Sequence, residues 1–137
     1  MAKTMPLEIV TPDRIFFNGD VEMIVVTGTD GEIGILPEHI NMAAALDGGP
    51  IRIKEAGQWR EAFVSAGFIA VVAGSIRVLV QTAEWPEEID ERRAQESMAR
   101  ANERMHHPQS HQDFIRARAS IARAMGRLKV YNDTHRK

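Results

Sequence analysis

The residues of this 137-residue sequence that are best suited to chemistry are arginines in its C-terminal part. They form two sets, each with steps of seven and then four residues: Arg93, Arg100 and Arg104, followed by Arg116, Arg123 and Arg127. On a helix, such steps place side chains on one face. Each set therefore predicts a helix with an arginine-lined face.

The two sets differ in the acids available to them. Glu96 and Glu103 lie within the first set, as on an ordinary solvated helix surface, whereas no acid occurs between Asp113 and Asp133. Guanidinium groups without an internal partner favour an external anion, and phosphate matches their forked geometry. If both faces turned inward, like charges would meet, so the sequence predicts that closure of the two helices depends on a polyphosphate ligand.

Other chemistry is poorly supported by the sequence. The absence of cysteine excludes a disulfide framework, a thiolate zinc site and a cysteine nucleophile. His39 stands alone, the acids near residues 20–32 do not match the calcium-loop pattern, and no P-loop is present. The remaining histidines fit a hydrated turn better than a metal site: His106, His107 and His111. We therefore predict no catalytic residue and no metal site.

Charge and glycine content divide the chain near Pro86. Residues 1–86 hold 6 Lys and Arg against 11 Asp and Glu, whereas residues 87–137 hold 11 against 8. Nine of the ten glycines lie in the first section. We predict two domains, residues 1–86 and 87–137. No apolar run is long enough to span a bilayer and the N-terminus lacks a signal-peptide core, which predicts a cytosolic protein.

The first section is typical of β structure. Short runs rich in Val, Ile and Phe alternate with turn signals such as Ala56-Gly57 and Ala73-Gly74. The predicted strands are Leu7–Val10, Ile15–Phe17, Val21–Thr27, Ile33–Leu36, Ile51–Lys54, Glu61–Ser65, Phe68–Val72 and Ile76–Thr82. Their spacing leaves no room for crossover helices, so we expect an antiparallel β-sandwich of about eight to ten strands, with Phe68–Val72 buried on both sides.

The second section predicts a hairpin of two helices, from about Ile89 to Met105 and from about His111 to Val130. Asp90 is a helix cap, and Ser110 with Asp113 resembles a capping box. The expected apolar stripes are Ala94, Met98, Ala101 and Met105 on the first helix, and Phe114, Ala117, Ile121, Met125 and Leu128 on the second. Gly126 is interpreted as a tolerated surface glycine or as a point where the helix is remodelled.

Two segments identify a resemblance to a known family. The segments are Gly31-Glu32-Ile33-Gly34-Ile35-Leu36-Pro37-Glu38-His39 and Val64-Ser65-Ala66-Gly67-Phe68-Ile69-Ala70-Val71. They resemble the glycine-rich segment and the V-S-G-G-F-x-x-V signature of the ε subunits of F-type ATP synthases, with Ala66 in place of a glycine. The resemblance covers essentially the whole chain and implies a β-sandwich followed by two helices.

A narrower resemblance concerns ε subunits, chiefly of bacilli, that bind ATP through an I/L-D-x-x-R-A motif. Ile89-Asp90-Glu91-Arg92-Arg93-Ala94 matches this motif at each fixed position. The resemblance implies an ATP site made of Glu84, Ile89, Asp90, Arg93, Arg100, Arg123 and Arg127. Ile89 and the backbone near Glu84 would hold the adenine, Asp90 would orient the helix start, and the arginines would hold phosphates. ATP is then a regulatory ligand, and accompaniment by Mg²⁺ is left open.

The same resemblance implies a non-catalytic rotor subunit that couples proton flow to ATP synthesis and inhibits ATP hydrolysis through its hairpin. The implied partners are the γ subunit, the ring of c subunits and, when the helices extend, the β subunits. It further implies a peripheral location at the cytoplasmic face of the bacterial plasma membrane, with membrane contact only through the complex. Three alternatives remain: a stand-alone nucleotide-binding regulatory module, a phosphate-transferring enzyme and an arginine-rich hairpin that binds nucleic acid. Net negative charge and few aromatic residues argue against nucleic acid.

Overall fold

The computed structural model describes residues 3–135, and within this range a β-sandwich is followed by a two-helix hairpin, as predicted. The strands are β1 Met5–Val10, β2 Ile15–Val21, β3 Met23–Gly28, β4 Gly31–Ile35, β5 Met42–Leu46, β6 Gly49–Glu55, β7 Gln58–Val64, β8 Gly67–Val72, β9 Ser75–Val80 and β10 Ala83–Glu84. A 3-10 turn at Pro86–Glu88 leads into α1, Glu91–His106, and α2, His111–His135.

The strands pair in the order β10-β7-β6-β3-β5-β8-β9-β1-β2, and β4 pairs with β3. The pairs are antiparallel except that β1 and β9 run parallel, with Leu7 opposite Ile76 and Ile9 opposite Val78. The expectation of a purely antiparallel sheet is therefore wrong at this pair. A parallel pair needs a long connection. Here the strands between β1 and β9 supply it, so no crossover helix is required.

The core of the sandwich is built by alternation along the strands. Leu7, Ile9, Ile24, Ile53 and Val78 are each at most 1% exposed and belong to one continuous apolar cluster. The prediction that Phe68–Val72 is buried on both sides is wrong, because Ile69 and Val71 face the core while Phe68 and Val72 are 65% and 61% exposed. An apolar strand can thus leave one face open, although its composition resembles that of a fully buried strand.

Two strands are absent from the sequence prediction, β5 and the two-residue β10. β5 has the sequence Met-Ala-Ala-Ala-Leu, and alanine is depleted in strands, so the segment lacks a local β signal. In the structure, Met42 to Leu46 pairs antiparallel with Val71 to Gly67 of β8. The neighbouring strand, rather than the intrinsic preference of the segment, fixes its conformation.

The predicted turns occur where the sequence places them. Ala56-Gly57 and Ala73-Gly74 both have positive φ at each residue and form two-residue connections between paired strands. This is the backbone of a type I′ turn, which matches the twist of a hairpin. Gly57 and Gly74 supply the left-handed conformation at little steric cost.

The Val-Ser-Ala-Gly-Phe segment has a structural role that depends on Ser65 and Gly67. Ser65 is buried, and its Oγ accepts hydrogen bonds from the backbone nitrogens of Gln81 (3.1 Å) and Thr82 (2.9 Å). A Cβ at Gly67 would collide with the carbonyl oxygen of Leu79. The segment therefore ties two corners of the sandwich together and requires glycine at one point.

The helices begin at the predicted caps. The Asp90 side chain accepts a hydrogen bond from the backbone nitrogen of Arg93 at 3.0 Å, and Ser110 Oγ accepts one from Asp113 at 3.0 Å. The Asp113 carboxylate instead accepts from Gln109 N at 3.2 Å. The predicted end of the second helix at Val130 is five residues short, because the polar last turns continue the helix without an apolar signal.

The seam between the two helices is made of small side chains. The buried residues, each at most 5% exposed, are Ala94 and Ala101 of α1 and Ala117 and Ala124 of α2. Met125 is 57% exposed, so its place in the predicted apolar stripe is wrong. The arginine faces do not turn toward one another across this seam, since the side chains of Arg93, Arg100, Arg116 and Arg123 are exposed. The condition on which the predicted ligand-dependent closure rested, that both arginine faces turn inward, is therefore not met, and buried alanines lie on both helices instead.

A second apolar cluster joins α2 to the sandwich. It consists of Phe63, Ile89 and Val130, with Tyr131 packed against it. Gly126 lies over this cluster, and a Cβ there would come within 2.8 Å of Phe63 Cε1 and 3.5 Å of Gly49 Cα. The interpretation as a tolerated surface glycine is therefore wrong, because the glycine permits close approach of α2 to the sheet, whereas remodelling of the helix at this point stays a prediction.

Candidate functional site

A cavity of about 650 Å³ lies between α2 and the sandwich. Its walls come from corners of the sheet and one side of the helix, namely Thr27, Asp47, Gly48, Ser65, Ala66, Gln81, Thr82, Ala119, Ala122, Arg123 and Arg127. We call it the α2 cavity. Its volume is within the range of small-molecule sites. Two of the seven predicted site residues, Arg123 and Arg127, line it.

Arg127 is the best-positioned of the predicted residues. Its Nε donates a hydrogen bond to Glu84 Oε1 at 2.8 Å, and its guanidinium lies 4.7 Å from the centre of the Phe63 ring. Glu84 and Phe63 are directly opposite in the β10–β7 ladder, so the sheet presents both to α2. Only about a quarter of either charged side chain is exposed. Glu84 uses the Nε edge, which leaves the two Nη groups able to donate to an anion.

Arg123 lies one turn before Arg127 and faces the same cavity. Its side chain is exposed, and Nη2 donates to Ser120 Oγ at 3.1 Å. A hydroxyl partner leaves the positive charge of Arg123 uncompensated. The α2 cavity thus has one arginine held by a carboxylate and one with its charge free, an arrangement that suits a bound phosphate.

Ile89 and Asp90 lie at the junction between the sandwich and α1. The Ile89 side chain is only 6% exposed and packs in the cluster with Phe63 and Val130. Asp90 is exposed and caps α1, as the sequence predicted. The preceding 3-10 turn is fixed by Arg14, whose Nη2 lies 2.9 Å from Glu88 Oε1, and this hydrogen bond holds the pKa of Glu88 below its usual range. The helix start is therefore firmly positioned.

Arg93 and Arg100 project from α1 into solvent. Within residues 3–135 neither makes a side-chain hydrogen bond or ion pair, whereas their neighbour Arg92 is paired with Glu96 at 3.1 Å. The structure brings Arg123, Arg127 and Glu84 together and does not place Arg93 or Arg100 on the wall of the α2 cavity.

Sequence reasoning missed the polar wall of the cavity. Thr27, Ser65, Gln81 and Thr82 come from distant strands and meet only after the sandwich closes. The sequence indicates Ser65 as part of a signature segment, but nothing in its neighbours along the chain indicates a wall residue. Among residues 3–135, no cluster of three or more His, Asp or Glu side chains is arranged to hold a metal ion. In the same range neither helix is apolar enough along its length to cross a bilayer.

Comparison with protein families covers nearly the entire chain. Residues 4–86 match the beta-sandwich domain of the ATP synthase delta/epsilon chain, and residues 87–132 match its long alpha-helix domain. These two matches together span well over half of the sequence and meet between residues 86 and 87.

Individual relatives agree with this match. The ATP synthase epsilon chain of Caldanaerobacter subterraneus subsp. tengcongensis is 47% identical over 131 residues, covering 95% of both chains. The ATP synthase epsilon chain of Bacillus cytotoxicus is 42% identical over 130 residues, covering 95% of this chain and 98% of the other.

Solved structures share the fold at low sequence identity. A chain of the Euglena gracilis mitochondrial ATP synthase, in a structure of OSCP, F1 and c-ring, superposes with a TM-score of 0.78 at 18% identity, covering 98% of this chain and 82% of that one. A chain of the Tetrahymena thermophila mitochondrial ATP synthase central stalk and c-ring gives a TM-score of 0.65 at 13% identity, covering 95% and 98%.

Proposed function

The chain belongs to the ATP synthase delta/epsilon family as an epsilon chain, and from this membership we propose that its hairpin binds ATP and regulates ATP hydrolysis by the complex. An epsilon chain is a subunit of that complex and is not itself the catalyst. The observation that carries the proposal is the presence of Arg123 and Arg127 on one cavity between α2 and the sandwich.

The α2 cavity supports ATP in its chemistry and its size. Two guanidinium groups supply charge-assisted donors for phosphate oxygens, and the threonine and glutamine side chains supply neutral hydrogen-bonding groups. Glu84 holds Arg127 in place before a ligand arrives, because Nε is fixed at 2.8 Å from the carboxylate. Less ordering is then required of this side chain on binding.

Arg93 and Arg100 would join the site through a change in side-chain position. Both are exposed, lack a competing acid in the described part of the chain, and lie on the helix that begins at Asp90. A triphosphate reaching from the α2 cavity toward α1 would draw them in. ATP would then contact both helices and the sheet, and it would favour the docked hairpin in proportion to its preference for that state.

We further propose that the subunit belongs to the central stalk, where it contacts the γ subunit and the c-subunit ring. Apolar side chains exposed on the sandwich support such contacts, since Phe68 and Leu79 are paired neighbours at 65% and 48% exposed and Ile40 is 78% exposed. The released hairpin would contact the β subunits through its exposed arginines and so inhibit hydrolysis. As a subunit of this membrane-associated complex, the chain would lie at the cytoplasmic face of the bacterial membrane and touch the membrane only through the other subunits.

Calorimetry of the full chain with ATP, ADP and GTP, each with and without Mg²⁺, tests the site. The Arg123→Ala, Arg127→Ala double variant should lose tight ATP binding, because each charge-assisted contact is worth about 1.5–3 kcal/mol, or roughly tenfold or more in Kd. In the assembled complex the same variant should inhibit ATP hydrolysis more weakly, since the patch would serve phosphate when docked and the β subunits when released.

The matched control is the Arg116→Ala, Arg118→Ala double variant, which removes the same charge from exposed positions of α2 outside the cavity. This control should bind ATP as the unaltered chain does. Equal loss of ATP binding in both double variants would show a general charge effect and contradict the site. A cavity variant that fails to bind ATP yet inhibits fully at each ATP concentration would contradict the shared patch.

A further inference from the structure

Two carboxyl groups meet where the last turns of α2 rest on the sandwich. Glu61 of β7 and Asp133 of α2 line the same cavity, and the proximity of the Asp133 carboxyl group contributes to a raised pKa of Glu61. Among residues 3–135, Glu61 Oε1 is buried and has no donor as its partner. Ionised carboxylates only accept hydrogen bonds. Two neighbouring carboxyl groups with a buried, unpartnered oxygen are therefore favourable only when one of them carries a proton that it can donate to the other.

The surrounding charges determine which group holds the proton. Lys129 Nζ lies 2.8 Å from Asp133 Oδ2, so the nearby ammonium group stabilises Asp133 in its ionised form. Burial first, and the neighbouring Asp133 second, raise the pKa of Glu61 to about 7. Glu61 is thus the group that holds the proton near neutral pH.

The other charged groups facing the pair are engaged elsewhere or too exposed to replace the proton. Arg52 is opposite Glu61 in the β6–β7 ladder but is bound to Glu32 at 3.0 Å. Arg60 is bound to Glu55 at 3.3 Å and stacks on the Trp85 ring. The remaining acid on the same cavity wall, from the 3-10 turn, is Glu87. Lys129 and Arg52 act on Glu61 and lower its pKa, but by less than burial and Asp133 raise it.

We propose that Glu61 and Asp133 share one proton that holds the C-terminal end of α2 on the sandwich, so that this end of the hairpin is released as the pH rises toward and through neutrality. The proposal goes beyond nucleotide binding, because it concerns the docking of α2 and holds whether or not the hairpin binds ATP. It adds the proton as a second ligand of the docked state.

The direction of the pH effect follows from linkage. In the released state Glu61 titrates near its ordinary value of 4.5, whereas in the docked state its pKa is about 7. Between these values the docked state binds the additional proton, so docking is strongest on the acid side and weakens as pH rises. Above about pH 7 both states are ionised and the pH dependence levels off.

Two measurements on the full chain test the proposal. NMR titration of the side-chain carboxyl carbons should give Glu61 a pKa near 7. This measurement is made on the unaltered chain and does not depend on a variant that folds. Amide hydrogen exchange of residues 127–135, corrected for intrinsic exchange chemistry, should show protection falling by up to about tenfold per pH unit between pH 5 and 7. Wild-type titration of Glu61 near 4.5 overturns the proposal.

Variants separate the shared proton from general effects of charge. Glu61→Gln replaces the carboxylic acid with an amide that donates to Asp133 at any pH, so protection should become independent of pH across this range. The matched control is Glu87→Gln, an exposed acid on the same cavity wall, which should retain the wild-type pH dependence. Persistence of the wild-type dependence in Glu61→Gln, or its loss in Glu87→Gln, overturns the proposal.

Discussion

Gly126 of α2 lies against the ring of Phe63 on β7, so closely that a Cβ at position 126 would come within 2.8 Å of Phe63 Cε1. Phe63 is completely buried, and the Cα of Gly49 lies on another side of the same contact. A fixed ring and a backbone atom leave little room for adjustment. The close approach places Arg127, the next residue, over both Phe63 and Glu84.

Gly126→Ala should therefore weaken docking of α2, although alanine favours a helix by about 1 kcal/mol over glycine. Overpacking at such a contact costs about 1–3 kcal/mol. We expect faster hydrogen exchange in residues 120–135 and weaker ATP binding, with the sandwich unchanged. Asn132→Ala on the exposed side of α2 is the control, because it raises helix preference without the contact. Equal protection in Gly126→Ala and the unaltered chain would contradict this packing argument.

A chain ending at Glu88 should fold without the hairpin. The main core of the sandwich excludes Phe63, Ile89 and Val130, which form the separate cluster under α2. The truncated chain keeps Trp85 stacked on Phe16 at 4.4 Å, and it exposes Phe63 at a cost of roughly 1.5–3 kcal/mol.

Circular dichroism should show a cooperative β-type unfolding transition at a reduced Tm, and the truncated chain should still co-purify with the γ subunit. A chain without cooperative unfolding would show that the second cluster is required for the fold. A folded chain that does not bind γ would contradict the proposed role of the sandwich surface.

Arg93→Ala should lower ATP affinity much more than Arg92→Ala. The two arginines are adjacent and exposed, but Arg92 is paired with Glu96 and lies about 100° around the helix from Arg93. Loss of one phosphate contact should raise Kd about tenfold or more. Calorimetry of both variants measures the difference, and equal affinities would show that position on the helix face is irrelevant.

Asp90 variants distinguish helix capping from a direct role of its charge. Asp90→Ala removes the acceptor for Arg93 N and should cost about 1 kcal/mol of stability, whereas Asp90→Asn retains an equally good cap. If capping is the role of Asp90, the asparagine variant keeps the Tm and ATP affinity of the unaltered chain. In the alanine variant both the Tm and the ATP affinity are lower. Reduced ATP affinity at an unchanged Tm in Asp90→Asn would instead assign the carboxylate to the ligand.

Features encoded by a few neighbouring residues were predictable from the sequence. The two helices, the caps at Asp90 and Ser110, and the turns at Ala56-Gly57 and Ala73-Gly74 depend on local periodicity, side-chain acceptors and backbone freedom. The candidate site was predictable in its residue types, since uncompensated arginines indicate an anion wherever they are placed. Resemblance to ε subunits supplied the grouping of those arginines with Glu84 and Ile89, which spacing along the chain does not contain.

Only the tertiary structure determined which surfaces meet. β5 has no local β signal and forms because β8 is its neighbour, and the outer face of β8 stays exposed because nothing within residues 3–135 covers it. The parallel pairing of β1 with β9, the contact of Gly126 with Phe63 and the meeting of Glu61 with Asp133 all join residues far apart in sequence. Such contacts depend on the packing of whole elements, because burial, close approach and a raised pKa are properties of surroundings rather than of a residue's own sequence neighbours.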